Sequence, residues 1–245
     1  MRKKRLHWDT DGVLAEFNFD ISPEKGNMHL LKEGHYYRER PPQKAMVGAV
    51  HHIFIYRQED YEQFNDSAVL PDAVHAWQDK HDWDDEWIPE IDKSHRIFTL
   101  CGEDKTEFIP GYDPHTDILI DDYGQNCTNI ASKGGTYIKV SVDASDAEYE
   151  RTKHKYVIHP EMTVEEIVAV IDRASADMDM AYAASIREFD IEYSETYSEL
   201  YKGIKAYSYE EAVDMLDEMI RCGAVEGPRY CTSSEYIDRT GEKEV

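Results

Sequence analysis

Short apolar runs along the first two-thirds of the chain alternate with stretches of helical periodicity. The runs at residues 5–8, 96–101, 117–120 and 137–140 predict strands. The run at 117–120 shows no polar alternation, which is typical of a parallel strand covered on both faces. Residues 61–70 also predict a strand, although polar side chains occupy positions where a buried strand should be apolar; they are Glu62, Gln63, Asn65 and Asp66.

Helices are predicted between these strands. Apolar residues at 43–56 follow an i, i+4, i+8 spacing, and residues 126–132 also suit a helix. Two capping boxes, at residues 163–166 and 208–211, each predict a helix start. Strands that alternate with helices predict an α/β fold of Rossmann-like type, with a parallel central sheet flanked by helices.

The pattern divides the chain into two parts. Residues 1–175 form the predicted α/β domain, and residues 176–245 a C-terminal helical extension with a loose polar tail. Apolar spacing of three and four residues predicts a helix over 186–204. Residues 18–45 are rich in turn signals and aromatics, which favours either a small cap insertion over a site or an ordinary surface excursion.

Residues 72–88 combine tryptophans with acidic residues and histidines. We expect Trp77, Trp83 and Trp87 to pack a helix onto the core. The histidines and aspartates of this stretch match no standard zinc spacing, so we interpret them as a solvated helix face.

Composition and net charge bear on which classes of macromolecule or membrane the protein can bind. The 245 residues carry a formal net charge of −24, which disfavours a nucleic-acid polymer or an anionic membrane as partner. The sequence has no apolar run of 18 residues, so we expect no membrane span. The four widely spaced cysteines favour free thiols and a cytoplasmic location.

Candidate chemistry begins at Asp9 and Asp11, which end the first predicted strand and precede Gly12. Residues i and i+2 of a strand share a face, so the two carboxylates can enter one pocket, where a divalent cation would relieve their repulsion. The alternative is an acidic turn without a ligand.

Further polar residues follow other predicted strands. Ser67, Lys105, Asp121 and Asp122 all fall at or just after predicted carboxyl ends. The carboxyl ends of parallel strands form one edge, where α/β proteins bind ligands. The alternatives are a loop serine, a surface lysine and a pair of helix-capping aspartates.

The ordered set of an acidic pair at residues 9–11, the Lys105 segment and the 117–122 segment resembles the haloacid dehalogenase-like (HAD) phosphohydrolases. It is most similar to the 5′(3′)-deoxyribonucleotidase-like branch of bacteria and phages, and the resemblance covers about residues 5–172. The polar segment before Ser67 departs from the family pattern, in which this strand is apolar.

The resemblance implies a role for each residue. Asp9 would be the nucleophile that forms an aspartyl-phosphate, and Asp11 the general acid and then the base. Lys105 and Ser67 would bind the phosphate. A Mg²⁺ cofactor would be held by Asp9, the backbone carbonyl of Asp11, Asp121 and Asp122.

These roles predict a Mg²⁺-dependent phosphomonoester hydrolase, with a 5′-nucleotidase acting on nucleoside monophosphates as the leading hypothesis. A HAD phosphatase for another small phosphate ester keeps the same chemistry. A third hypothesis is a weakly active or inactive HAD-like binding module, which the polar strand before Ser67 favours.

Overall fold

The computed structural model describes residues 2–18, 20–194, 198–222, 224–225 and 235–238. The chain divides into two compact units, residues 1–179 and 180–245. Each unit has its own sheet and its own apolar core.

The first unit is built on a six-stranded, all-parallel sheet in the order β3-β2-β1-β4-β5-β6. The strands are β1 (Lys4–Trp8), β2 (Tyr61–Val69), β3 (Arg96–Leu100), β4 (Asp117–Asp121), β5 (Thr136–Val140) and β6 (Val157–Ile158). The predicted α/β class with a parallel central sheet is therefore confirmed. The strand order changes direction between β1 and β4, and such a point is where open parallel sheets form a ligand crevice.

Helices connect the strands and supply most of the remaining core. They are α1 (His29–Lys32), α2 (Tyr36–Glu39), α3 (Lys44–Tyr56), α4 (Ala76–Trp87), α5 (Gly124–Ser132), α6 (Ala144–Glu150) and α7 (Val164–Ser185). The apolar faces of α3 and α7 join Leu6, Trp8 and Ile120 of the sheet in one buried cluster. The first predicted capping box is formed: Thr163 and Glu166 exchange hydrogen bonds at 2.8 and 3.2 Å.

The polar segment 61–70 forms the central strand β2, and two of its polar side chains, Gln63 and Asn65, find hydrogen-bond partners inside the fold. Gln63 accepts from the indole of Trp8 at 3.1 Å and donates to the Val50 carbonyl at 3.1 Å. Asn65 donates to Thr10 Oγ1 at 3.0 Å and to Asp84 at 3.3 Å. A buried polar group that is hydrogen-bonded loses most of its burial cost, so β2 needs no apolar run here.

The prediction for the α4 region was right for two tryptophans and wrong for the third. Trp83 is fully buried and Trp87 packs against the core, whereas Trp77 is 53% exposed. The interpretation of the acidic residues as a solvated face is also wrong for Asp84, which is fully buried, and the neighbouring Asp79 is buried as well. The buried stripe of α4 runs through residues 76, 79, 80, 83 and 84, so helical spacing places Trp77 outside it.

The second unit corrects the predicted helical extension. Instead of a helix over 186–204, β7 (Arg187–Ser194) and β8 (Ser198–Ala206) form an antiparallel pair, and β9 (Glu235–Asp238) pairs with β7. Helix α8 (Tyr209–Arg221) follows, and Ser208 caps it by accepting from the Glu211 amide at 3.2 Å.

A small core of Ile204, Ala206, Ala212 and Leu216 joins α8 to β8. Gly223 and most of the tail predicted to be loose lie outside the described residues. In the described part of the chain, none of the helices has both the length and the apolar character needed to cross a membrane.

Candidate active site

The candidate site lies at the carboxyl edge of the parallel sheet, where β1, β2 and β4 end side by side. Asp9 directly follows β1, and its amide bonds to the Ile120 carbonyl of β4 at 2.9 Å. Ser67 lies in β2 and Asp121 ends β4. Lys105 opens a short 3-10 turn, Lys105–Glu107, in the connection after β3.

Lys105 joins two of the carboxylates. Its buried ammonium lies 3.0 Å from Asp9 Oδ1 and 2.7 Å from Asp121 Oδ2, and it donates to the Asp66 carbonyl at 2.6 Å. Burial opposes the charge on Lys105, but its ion pairs with Asp121 and Asp9 outweigh that effect and raise its pKa above the ordinary value. The alternative of a surface lysine is therefore wrong.

Asp9, Asp121 and Asp122 form a compact acidic cluster. Each offers one carboxylate oxygen, and these oxygens all lie within 4.8 Å of one another. Burial, together with repulsion from Asp9 and Asp121, raises the pKa of Asp122 to about 8, and burial also raises that of Asp121. Lys105 thus neutralises only part of the cluster's negative charge.

Local hydrogen bonds fix Asp121 within this cluster. Its Oδ1 accepts the Tyr123 amide at 2.7 Å, just before α5, and its Oδ2 accepts from Asn126 Nδ2 at 2.9 Å. Asp121 therefore makes contacts near a helix start, as the capping alternative expected, but it also faces Lys105.

The side chain of Asp11 is not one of the three in the acidic cluster and pairs instead with two cations. One oxygen pairs with Arg40, which follows α2, and the other lies 2.7 Å from Lys80 Nζ of α4. Burial lowers the pKa of Arg40 to about 9. The Arg40 guanidinium also lies 5.1 Å from the ring centroid of Tyr37. Asp11 is thus held by one residue of the 18–45 segment and one helix of the core.

Lys80 also reaches Ser67. Its fully buried ammonium donates to Ser67 Oγ at 2.7 Å and to the Ala68 carbonyl at 2.6 Å. Burial, with the nearby charge of Arg40, lowers the pKa of Lys80 to about 7, and the charge on Asp9 acts in the opposite direction. Ser67 is fully buried within β2, so the loop-serine alternative is wrong.

Behind Ser67, Asp66 is buried without a hydrogen bond to either carboxylate oxygen. Burial raises its pKa to about 7. The nearest basic group is His7 Nδ1, 3.9 Å from Asp66 Oδ2. His7 Nε2 bonds to Asp117 at 2.9 Å, and burial lowers the pKa of His7. The positive charge of Lys105 opposes the rise in the pKa of Asp66, whereas the charges of Asp9 and Asp121 add to it.

A cleft of about 600 Å³ opens in front of these groups. Its lining includes the charged residues Asp9, Asp11, Lys105 and Asp122. The 18–45 segment and its flank supply the apolar part of the lining, which is Phe17, Ile21, Pro23, Met28, Leu31 and Tyr37. The lining also contains the amide residues Gln125, Asn126 and Asn129.

The structure brings together all six residues that the sequence singled out, and it adds two that the sequence analysis missed, Arg40 and Lys80. A signal for Lys80 was present: it lies four residues after Ala76 and three before Trp83, on the buried stripe of an amphipathic helix. A lysine on such a stripe must pair with a buried acceptor. Arg40 has no comparable periodicity, because the segment around it is irregular.

Comparison of the sequence with protein-family models gave no matching family, and comparison with curated proteins gave no matching relative. Functional assignment therefore depends on the residues of the site.

Proposed function

We propose that this protein is a metal-dependent phosphomonoester hydrolase of the HAD type, with a nucleoside monophosphate as its leading substrate class. The observation that carries the proposal is the juxtaposition of three carboxylates within 4.8 Å with a buried lysine that pairs with two of them. The group lies at the carboxyl edge of a parallel sheet and opens into a cleft.

The acidic cluster fits a hard divalent cation. Three carboxylate oxygens converge, and the single positive charge of Lys105 pairs with Asp9 and Asp121, so a cation would offset the repulsion that remains among the three carboxylates. Asp9, Asp121 and Asp122 would hold Mg²⁺, and the Asp11 carbonyl stays a predicted fourth ligand. The ion would supply positive charge against that of the phosphate oxygens.

In the proposed first step, an Asp9 carboxylate oxygen attacks phosphorus and the bond from phosphorus to the leaving oxygen breaks. Asp11 gives a proton to that oxygen, which leaves as an alcohol. In the second step water attacks phosphorus, its proton goes to Asp11, and the bond to Asp9 breaks to release inorganic phosphate.

The two cations beside Asp11 bear on the source of its proton. Arg40 and Lys80 favour the ionised carboxylate. That form suits the second step, in which Asp11 is the base. The proton that Asp11 gives away in the first step then arrives with the substrate, as a phosphate monoanion whose second ionisation lies near about pH 6.

The walls of the cleft support a nucleoside monophosphate over a smaller ester. The apolar lining that includes Phe17 and Tyr37 offers surface against which a base can pack, and the amide residues of the lining offer donors and acceptors to its edge. The acidic Glu103 also lines the cleft, which disfavours a second phosphate group on the substrate.

The inactive binding-module hypothesis drew its support from the polar segment before Ser67. Most of that support is gone, because Gln63 and Asn65 are hydrogen-bonded inside the fold, and Asp66 is the residue of this segment whose buried carboxylate has no hydrogen bond. A binding module also has no need to bury Asp9, Lys105 and Asp121 together, since ion pairs of this kind are costly to desolvate.

The test is phosphate release from a panel of nucleoside monophosphates, sugar phosphates and p-nitrophenyl phosphate, with Mg²⁺ or with chelator. We expect turnover that requires Mg²⁺ and prefers a nucleotide. Asp9→Asn should lower kcat by at least about 10³-fold, because it removes the nucleophile.

Asp60→Asn is the matched control, since this exposed carboxylate precedes β2 at the opposite edge of the sheet and should leave kcat unchanged. Lack of turnover of every ester in the panel would refute the proposal. So would an Asp9→Asn protein as active as the wild type.

A further inference from the structure

Lys80 lies outside the residues that the resemblance assigns, yet it is the most enclosed cation of the site. Its side chain has no solvent exposure. Nζ lies 2.7 Å from Asp11 Oδ2, 2.7 Å from Ser67 Oγ and 2.6 Å from the Ala68 carbonyl. Two of these partners are the proposed acid/base and the proposed phosphate-binding hydroxyl.

The hydrogen-bonding capacity of Lys80 is fully used by these three contacts. Burial disfavours the charge on Lys80, but the Asp11 carboxylate at 2.7 Å favours the ammonium form. An ammonium group has three N–H donors and no acceptor, and each donor here has one acceptor. No donor is left for a substrate oxygen. Lys80 therefore acts through its neighbours and does not bind the phosphate itself.

The effect on Ser67 follows from the direction of the bond. Ser67 Oγ accepts from Lys80, so its own O–H proton must be donated elsewhere. The effect on Asp11 is similar, because Lys80 holds one oxygen while Arg40 holds the other. The bond from Lys80 to the Ala68 carbonyl ties both groups to the backbone of β2.

We propose that Lys80 is a positioning residue, which holds the carboxylate of Asp11 and the hydroxyl of Ser67 in the one arrangement that serves phosphoester cleavage. This inference rests on the proposed phosphatase function. The observation behind it is the set of three short bonds from one buried ammonium to both groups and to the strand between them.

Leaving-group dependence distinguishes positioning from a merely structural role. An alkyl leaving group, as in a nucleoside monophosphate, needs the proton from Asp11, whereas p-nitrophenolate leaves readily without one. General acid catalysis contributes about 10²–10⁴-fold. Only the first step depends on the leaving group, so in Lys80→Met we expect the pre-steady-state release of the leaving group to slow about 100-fold or more for the nucleotide and less than about tenfold for p-nitrophenyl phosphate.

A double-mutant cycle provides a second readout. If Lys80 acts through Asp11 and Ser67, its substitution in an Asp11→Asn background should lower kcat for the nucleotide by a smaller factor than in the wild-type background, because only the part that acts through Ser67 remains. Lys80→Gln, which keeps an amide donor, is the second variant if Lys80→Met does not fold, as judged by thermal unfolding. Lys93→Met is the matched control, since Lys93 is exposed and pairs with Asp85 away from the cleft.

The outcomes separate the two proposals. An inactive wild type on every ester refutes the phosphatase function itself. Suppose that the wild type is active and the Lys80 variants fold. If the variants then release both leaving groups more slowly by the same factor, or as fast as the wild type, the positioning role alone is refuted. Full additivity in the cycle with Asp11→Asn refutes it as well.

Discussion

The buried carboxyl of Asp66 gives the sharpest prediction for stability. Asp66 has no solvent exposure, and neither carboxylate oxygen has a hydrogen bond. Burial raises its pKa from the ordinary 3.8 to about 7, with Lys105 acting against the shift and Asp9 with it. We consider Asp66→Asn, which removes the titration and keeps the shape.

The direction in which Asp66 changes the free energy of unfolding with pH depends on which state, folded or unfolded, binds its proton more tightly. Between about pH 4 and pH 7 the folded protein holds a proton on Asp66 that the unfolded chain has lost. Stability from this group is therefore complete below about pH 4 and is lost as the pH rises to about 7. Each pH unit in that window costs about 1.4 kcal/mol, so the wild type loses about 2–3 kcal/mol from this group between pH 5 and pH 8.

The amide that Asp66→Asn introduces has burial costs of its own, but they do not change with pH. The free energy of unfolding of the variant relative to wild type should therefore rise by about 2–3 kcal/mol from pH 5 to pH 8. Urea unfolding in the presence of chelator, at four pH values, measures it. The exposed Asp60→Asn substitution controls for the chemical change itself. A difference that stays constant within about 0.5 kcal/mol would show that Asp66 is ionised throughout, and the reasoning would be refuted.

Two further predictions concern the acidic cluster and a helix start. Mg²⁺ at about one hundred times its dissociation constant should stabilise the folded protein by about 2.7 kcal/mol, which is measured as a rise in Tm. The Asp122→Asn protein should show only a small part of that rise. An equal rise in the Tm of both proteins would contradict the proposed role of Asp122 as a metal ligand. Thr163→Ala removes the oxygen that accepts the Glu166 amide at 3.2 Å, and should cost about 1 kcal/mol in urea unfolding, with no change in Mg²⁺ dependence. A cost below about 0.3 kcal/mol would mean that the cap contributes nothing.

The sequence predicted the elements whose signals are local. The apolar spacing of 43–56 became α3, the continuous run at 117–120 became β4, and both capping serine or threonine residues begin helices. Since the parallel arrangement brings all carboxyl ends to one edge, the convergence of the candidate residues followed from the same signals.

The error at 186–204 arose because one set of apolar positions satisfies two periods. Residues 189 and 193 are four apart, as in a helix, but Ile191 between them completes a strict alternation over β7. The segment is also rich in isoleucine and tyrosine, which favour strands. Antiparallel pairing with β8, a contact that no local window contains, decided the outcome.

Arg40 and the burial of Asp84 were missed for a different reason. A charged residue is normally on the surface, and only packing by distant segments can enclose it. Asp84 is matched by Asn65 at 3.3 Å and by Arg96 at 3.6 Å, partners that come from β2 and β3. Hydrogen bonds and ion pairs between residues this far apart in sequence depend on the tertiary structure, so no periodicity in the sequence predicts them.

The distance along the chain between Asp9 and Asp121 has a consequence for the order of folding. Their cluster forms only after β4 has paired with β1, and Lys80 and Lys105 must arrive from the two intervening connections. Strand pairings between residues so distant in sequence form slowly, because the entropy cost of closing a long loop comes before any stabilising contact forms. In a chain whose synthesis is incomplete, β4 has not yet paired with β1, so the carboxylates of the acidic cluster lie far apart. The candidate site does not exist at that stage. Formation of the acidic cluster during refolding should then follow the slowest phase of sheet assembly, well after the helices have formed.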